Sequence, residues 1–311
     1  MRFNPKARLD TSRVSDGGSG GGGGGQMRMP IPGGMRAGGG IGGLVIIVLF
    51  VLISQCSGVD LTGGSGGTGT GLGSGSIGTD ASRMVDSDRY ANCKTGEDAN
   101  NDEDCARVAV ENSLVDYWTE ALPDQDGTAF EPATLETFSG AVNTGCGQAT
   151  SQVGPFYCPP DQRMYLDTTF FADILEKQLG GQGGDFVEPY VIGHEYGHHI
   201  QNLMGTMSRV KTQQGASSDA VRLELQADCY AGMWTGYAED SSLITLDDGD
   251  IEEALDAAKT VGDDRIQQAG GQRVNPEGWT HGSSAQRMKW FTSGYQQGTL
   301  DACDTFSAST L

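Results

Sequence analysis

His194-Glu195-Tyr196-Gly197-His198 is an H-E-x-x-H run inside Tyr190–Met204. Residues four apart stack on one face of a helix, so His194 and His198 can offer two imidazoles to one metal ion. Glu195, between them, can reach a water held by that metal rather than the metal itself. Two imidazoles plus one further protein ligand leave zinc an open position, where bound water has a pKa of about 7. The chemistry this suits is metal-assisted hydrolysis. The bland alternative is a chance match on a core helix.

The next segment weighs against chance. Leu223-Glu224-Leu225-Gln226-Ala227-Asp228 lies in Ser218–Glu239, which reads as a second helix. Glu224 and Asp228 are four apart and share a face. Glu224 could complete a His₂Glu set. Asp228 could accept the free ring N–H of a ligating imidazole, which fixes the tautomer and makes the ligand more basic. Asp228 as the third ligand is the alternative. A solvated acidic edge would suit an acidic protein, but the flanking Leu223, Leu225, Ala227, Cys229, Tyr230 and Ala231 are apolar or small. Carboxylates among such residues need a cation or a partner. The chain has only four histidines, and three are His194, His198 and His199. His199 follows the second ligand and points elsewhere, so it reads as a supporting or structural residue. The fourth, His281, sits in Thr280-His281-Gly282-Ser283-Ser284.

Further segments follow one another along the chain: Cys93-Lys94-Thr95-Gly96, Gly154-Pro155-Phe156-Tyr157-Cys158-Pro159, Met164-Tyr165-Leu166-Asp167, the H-E-x-x-H-H run, Glu224-Leu225-Gln226-Ala227-Asp228-Cys229 and His281-Gly282-Ser283-Ser284-Ala285-Gln286-Arg287. Together they resemble the neutral zinc metallopeptidase family, whose members carry one N-terminal membrane anchor and a gluzincin-like HExxH site. The resemblance covers about residues 89–311 plus the anchor. It implies zinc as cofactor and Glu224, from the helix after the motif, as third ligand. Other zinc patterns fit less well. The elongated motif needs a glycine and a histidine where this chain has Gln201 and Met204. Cys229 follows Asp228 and faces away from the Glu224/Asp228 stripe.

Between Arg36 and Asp60 no residue is charged, and the centre is Leu44-Val45-Ile46-Ile47-Val48-Leu49-Phe50-Val51-Leu52-Ile53. With its flanks this reaches the roughly 20 residues that span a bilayer, so residues 37–59 are read as one transmembrane helix. Residues 1–36 carry six basic against two acidic side chains, a net of +4. The positive-inside rule then keeps this leader in the cytoplasm and the catalytic domain outside, a single-pass arrangement. The leader is too long for a cleaved signal peptide, and Gln55 before Cys56 argues against lipidation. Gly-rich stretches flank the span, and residues 60–88 read as a flexible tether. Residues 89–311 are long enough for one domain with its own core.

Six of the seven cysteines lie beyond the span. Loop closure favours the local pairs Cys93–Cys105 and Cys146–Cys158, and Cys229–Cys303 follows by elimination. Bridges of this kind belong to an oxidising compartment. The net charge is −21; taking away the +4 leader leaves −21 − 4 = −25 on residues 37–311, which disfavours nucleic acid and anionic lipid as partners of that domain. Asp98, Asn100 and Asp102 lack the glycine and closing Glu of a calcium loop and read as a solvated acidic loop.

The expected fold is α+β and mostly helical, a zincin-like domain with a small sheet, preceded by the transmembrane helix. Helical spacing runs over Ala106–Leu122 up to Pro123, Phe170–Leu179 up to Gly180-Gly181, and Ser283–Gln297. Pro189 suits the first turn of the metal helix and Gly205 its end. Gly193 and Gly197 cost helix stability, so a close backbone approach is expected at them. Met164-Tyr165-Leu166 is the best strand. In the expected mechanism Glu195 takes a proton from the water and passes it to the leaving amine of a peptide or protein substrate. His281 is the candidate donor to the oxyanion, with Arg287 or Tyr230 behind it; a helix-entry residue is its alternative reading. The rival class is a catalytically silent, zinc-stabilised binding or scaffold protein. Nothing in the sequence specifies the oligomeric state.

Overall fold

The computed structural model describes residues 1–19 and 88–311. The expected transmembrane stretch 37–59 and all but the last residue of the tether 60–88 lie outside them. Among the described residues no helix is long and apolar enough to cross a membrane.

In chain order the elements are β1 (Arg2–Phe3), β2 (Val14–Ser19), α1 (Gly96–Ala99), α2 (Glu103–Asp126), β3 (Thr134–Ser139), β4 (Ala141–Thr144), β5 (Gly147–Thr150), β6 (Phe156–Cys158), β7 (Arg163–Asp167), α3 (Val187–Leu203), α4 (Asp219–Asp240), β8 (Ile244–Thr245), α5 (Asp250–Thr260), α6 (Asp263–Ala269) and α7 (Ser284–Gln297). The fold is mixed α+β with small sheets, as expected. The largest sheet has order β2-β3-β7-β6. Its first two pairings are parallel, with Leu135 opposite both Val14 and Met164, and β6 runs antiparallel to β7.

Helix boundaries follow from local chemistry. The Asp102 carboxylate accepts from the amides of Asp104 and Cys105 and starts α2, which runs through Pro123 to a left-handed Gly127. Pro123 removes only one donor in the last turn, so the helix outruns the expected stop. Ser218 caps α4 by accepting from the Val221 amide. Ser283 and Gln286 form a capping box at the start of α7. The short helix expected over Phe170–Leu179 is a π-helix spanning Phe171–Glu176. Asp98 and Asn100, from the supposed acidic loop, have structural duties. Asp98 accepts from the Thr95 amide, and Asn100 exchanges two hydrogen bonds of 2.8 Å with the Phe3 backbone.

The core lies where α2, α3, α4 and α7 meet the sheet. Trp118, Trp234, Tyr190, Tyr196, Tyr230 and Phe291 are all fully buried there. Burying each such side chain contributes on the order of 2 kcal/mol. A Cβ on Gly294 of α7 would lie 1.9 Å from the Cys229 carbonyl oxygen of α4, so these helices touch backbone to backbone. The Cys229–Cys303 bridge ties the C-terminal tail at that contact, and Cys93–Cys105 and Cys146–Cys158 are the other two disulfides among the described residues.

The leader needs correction. The described part of the expected leader, residues 1–19, is built into the domain. β1 pairs with β8, and β2 is the edge strand beside β3. Phe3 and Val14 are core residues. Arg13 meets the fully buried Glu111 of α2 at 2.7 Å, and Arg2 meets Asp247. The sequence offered no periodicity here. Two short strands among charged residues read as leader because their apolar partners lie more than a hundred residues away.

Candidate metal centre

The close packing of α3 on α4 creates the site. A Cβ on Gly197 would sit 3.0 Å from the Ala227 Cα and carbonyl oxygen, and one on Gly193 would sit 3.1 Å from the Trp234 ring. The expected close approach is the reason for both glycines. It lets Glu224, one turn before Ala227, meet the imidazoles presented by α3. Glu224 lies 3.3 Å from His194 Nε2 through Oε2 and 3.5 Å from His198 Nε2 through Oε1. One donor atom from each of the three falls within 4.8 Å of the others.

Both imidazoles are held by their other nitrogen. His194 Nδ1–H donates to Asp228 Oδ1 at 2.8 Å, and His198 Nδ1–H donates to Gln201 Oε1 at 2.8 Å. With Nδ1 donating, Nε2 of each ring faces Glu224 and is the atom that would bind a metal ion once its own proton is displaced. Asp228 also accepts from Arg287 twice at 2.8 Å and from the Tyr190 hydroxyl at 2.6 Å. Gln201 is anchored in turn to the Leu223 carbonyl at 2.7 Å. Sequence reading had treated Gln201 only as a mismatch to another motif. The signal was there, since three residues after His198 places it on the same face.

Charge in the site calls for a cation. Burial alone would keep His194 neutral, yet Asp228 and Glu224 push its pKa up to about 10. Burial works against the Glu224 charge too, but His198 and His194 hold its carboxyl well below the usual range. In the absence of metal, protons supply the positive charge these carboxylates demand. The donor set therefore fits a divalent ion such as zinc. Glu195 is buried beside the triad, and that burial raises its carboxyl pKa.

His194, Glu195, His198, Glu224, His281 and Arg287 line one cleft of about 120 Å³. Its remaining walls are largely apolar, including Val153, Phe156, Phe170, Ile174 and Ile266. His281 is carried by a loop clasped by one carboxylate. Asp263 Oδ2 accepts the amides of Thr280, His281 and Gly282 at 2.7, 2.8 and 3.0 Å. Arg287 reaches the cleft with its guanidinium committed to Asp228. Tyr230, an alternative oxyanion donor to His281, is not among the residues that line the cleft. Its ring packs on Trp118 at 5.6 Å and its hydroxyl points to the Met204 sulfur. His199 is structural: its Nδ1 accepts a hydrogen bond from the Tyr157 hydroxyl at 2.9 Å and its Nε2–H donates to the Glu131 carbonyl at 2.6 Å. Burial lowers its pKa to about 4, which keeps it neutral.

A larger cavity of about 480 Å³ lies beside Arg107, Glu188 and Ile192 and holds none of the motif residues. A second carboxylate group, Asp185, Asp250 and Glu253, is met by the Met1 ammonium, 2.9 Å from Asp185 and 3.2 Å from Asp250.

A family model described as "Putative neutral zinc metallopeptidase" matches residues 4–306. The chain belongs to that family, whose name implies zinc. It is 52% identical over 228 residues to the uncharacterized protein Rv2575 of Mycobacterium tuberculosis, covering 70% of this chain and 76% of that one. It is 36% identical over 284 residues to the uncharacterized protein YpfJ of Escherichia coli, covering 89% and 90%. No solved structure matches the chain.

Proposed function

We propose that this protein is a zinc-dependent peptidase whose site is His194, His198 and Glu224 with Glu195 as general base. The observation that carries the reading is the burial of Glu195 beside three converging donors, in the lining of a cleft. A purely structural zinc site has no use for such a carboxylate. Zinc, when bound there, polarises the substrate carbonyl and lowers the pKa of water.

Glu195 takes the proton of the attacking water and returns it to the leaving amine, a role suited to a carboxyl whose pKa burial has raised. His281 donates to the oxyanion of the tetrahedral intermediate, and Asp263 holds its loop in place. Asp228 and Gln201 fix the two ligating rings. The apolar walls suit a peptide with an aliphatic or aromatic side chain beside the scissile bond. The three disulfides favour an oxidising, extracytoplasmic compartment for the domain. The uncharged stretch 37–59 is read as its membrane contact.

The test is a peptide library incubated with the full-length chain as purified, after chelation, and after zinc is restored. Cleavage that disappears with chelator and returns with zinc supports the reading. A protein that binds one zinc and cleaves nothing in any state would be the silent, zinc-stabilised binding protein instead.

A further inference from the structure

We infer that residues 1–19 and residues 88–311 occupy the same compartment, on one side of any membrane that the intervening chain touches. The expected two-sided arrangement, with a cytoplasmic leader and an external domain, requires an odd number of crossings between them. Main-chain pairing forbids it. β2 is hydrogen-bonded to β3 along Val14–Asp16, and β1 is hydrogen-bonded to β8. Strand pairing with residues 1–19 of a second copy would carry the same requirement.

The domain is also incomplete without these residues. Glu111 is fully buried in α2, and Arg13 is the cation that meets it, through Nε at 2.7 Å and a second nitrogen at 3.3 Å. Asn112 turns to the same segment, accepting from the Asp10 amide at 2.7 Å and donating to the Asp10 carbonyl at 2.9 Å. A buried carboxylate stripped of its cation is strongly unfavourable. The family match reaches back to residue 4, so it includes this segment with the metal-site helices.

Departure and return are side by side. Asp16, near the end of β2, lies 3.6 Å from Arg89, one residue after the described chain resumes. Arg89 is held in turn by Asp104 at 2.7 Å. Charge explains why the sequence pointed the other way. Of the basic residues that made the leader positive, Arg2 and Arg13 are consumed in ion pairs within the domain. They do not act as free charges that would hold the segment in the cytoplasm. The inference is independent of whether the site hydrolyses peptides.

The experiment uses the full-length chain in the cells that produce it, with Cys56→Ser removing the cysteine outside the three bridges. Single cysteines are introduced at two exposed positions, Lys6→Cys and Gln296→Cys. Each is reacted with a membrane-impermeant maleimide before and after permeabilisation. The expected result is that both sites label in the same condition and are protected in the same condition. Labelling of one in intact cells and of the other only after permeabilisation overturns the inference. So does a mature chain whose peptide map lacks residues 1–19. Arg13→Gln supplies a separate readout, because docking of the segment predicts a lowered Tm for the full chain. An unchanged Tm would show that the segment is not docked.

Discussion

Arg287 and Asp228 face each other in a two-point contact, Nε to Oδ2 and an Nη to Oδ1, both at 2.8 Å. The carboxylate is fully buried and its remaining capacity goes to Tyr190 and to His194 Nδ1. Arg287 thereby neutralises Asp228 and locks it in the orientation that turns His194 toward Glu224. The first prediction concerns this relay. Asp228→Asn should weaken zinc affinity by roughly 10- to 100-fold, and Glu224→Gln should weaken it more. Competition with a chromophoric chelator measures both. A larger loss for Asp228→Asn would reverse the assignment of ligand and support.

Gln201→Leu is expected to act on His198 as Asp228→Asn acts on His194. It removes the acceptor of the His198 N–H and the donor to the Leu223 carbonyl. Zinc affinity should fall by about tenfold or more, in the same chelator competition. Unchanged affinity would show that packing alone orients the ring.

Asp263 should reveal itself through pH. Burial opposes its charge, but hydrogen bonds from His281 and the loop amides hold its carboxyl below the ordinary 3.8. A carboxyl with a lowered folded pKa stabilises above its unfolded pKa and loses that contribution as pH falls through the folded value. Asp263→Asn should therefore lower Tm at pH 7, and the gap to wild type should close below about pH 4. A gap independent of pH would mean that the carboxylate charge is not what clasps the loop.

Arg13→Gln leaves Glu111 buried without its cation. Breaking a buried pair by removing one partner costs about 3–5 kcal/mol, and Arg13 is only 21% exposed, so little solvent screening applies. Denaturant unfolding should show most of that loss. Adding Glu111→Gln to Arg13→Gln should recover part of it, since no charge is then stranded. Equal stability of the two variants would argue against the pair.

Legibility in the sequence followed the range of the interactions. The metal helix, its partner helix and the helix starts at Ser218 and Ser283 could be read because their signals are local: spacing of four, apolar periodicity, glycines. The three cysteine pairs could be read because two are close in sequence. Residues 1–19 could not, since the reasons for their conformation are Leu135, Glu111 and Ile244, far along the chain. Gln201 and Asp263 were missed for a related reason. A polar side chain that acts by holding another has no pattern until the group it holds is placed. Tyr230 failed the other way, its position in the second helix suggesting the cleft while its ring belongs to the core beside Trp118.

The central claim is that Glu195 performs chemistry on a metal-bound site rather than supporting it. The most direct measurement compares zinc-loaded wild type and Glu195→Gln, both full length, for peptide hydrolysis, zinc content and Tm. The account predicts that the variant keeps its zinc and its Tm while hydrolysis falls by on the order of 10²- to 10⁴-fold. Undiminished turnover in Glu195→Gln, with metal content and stability intact, would contradict it.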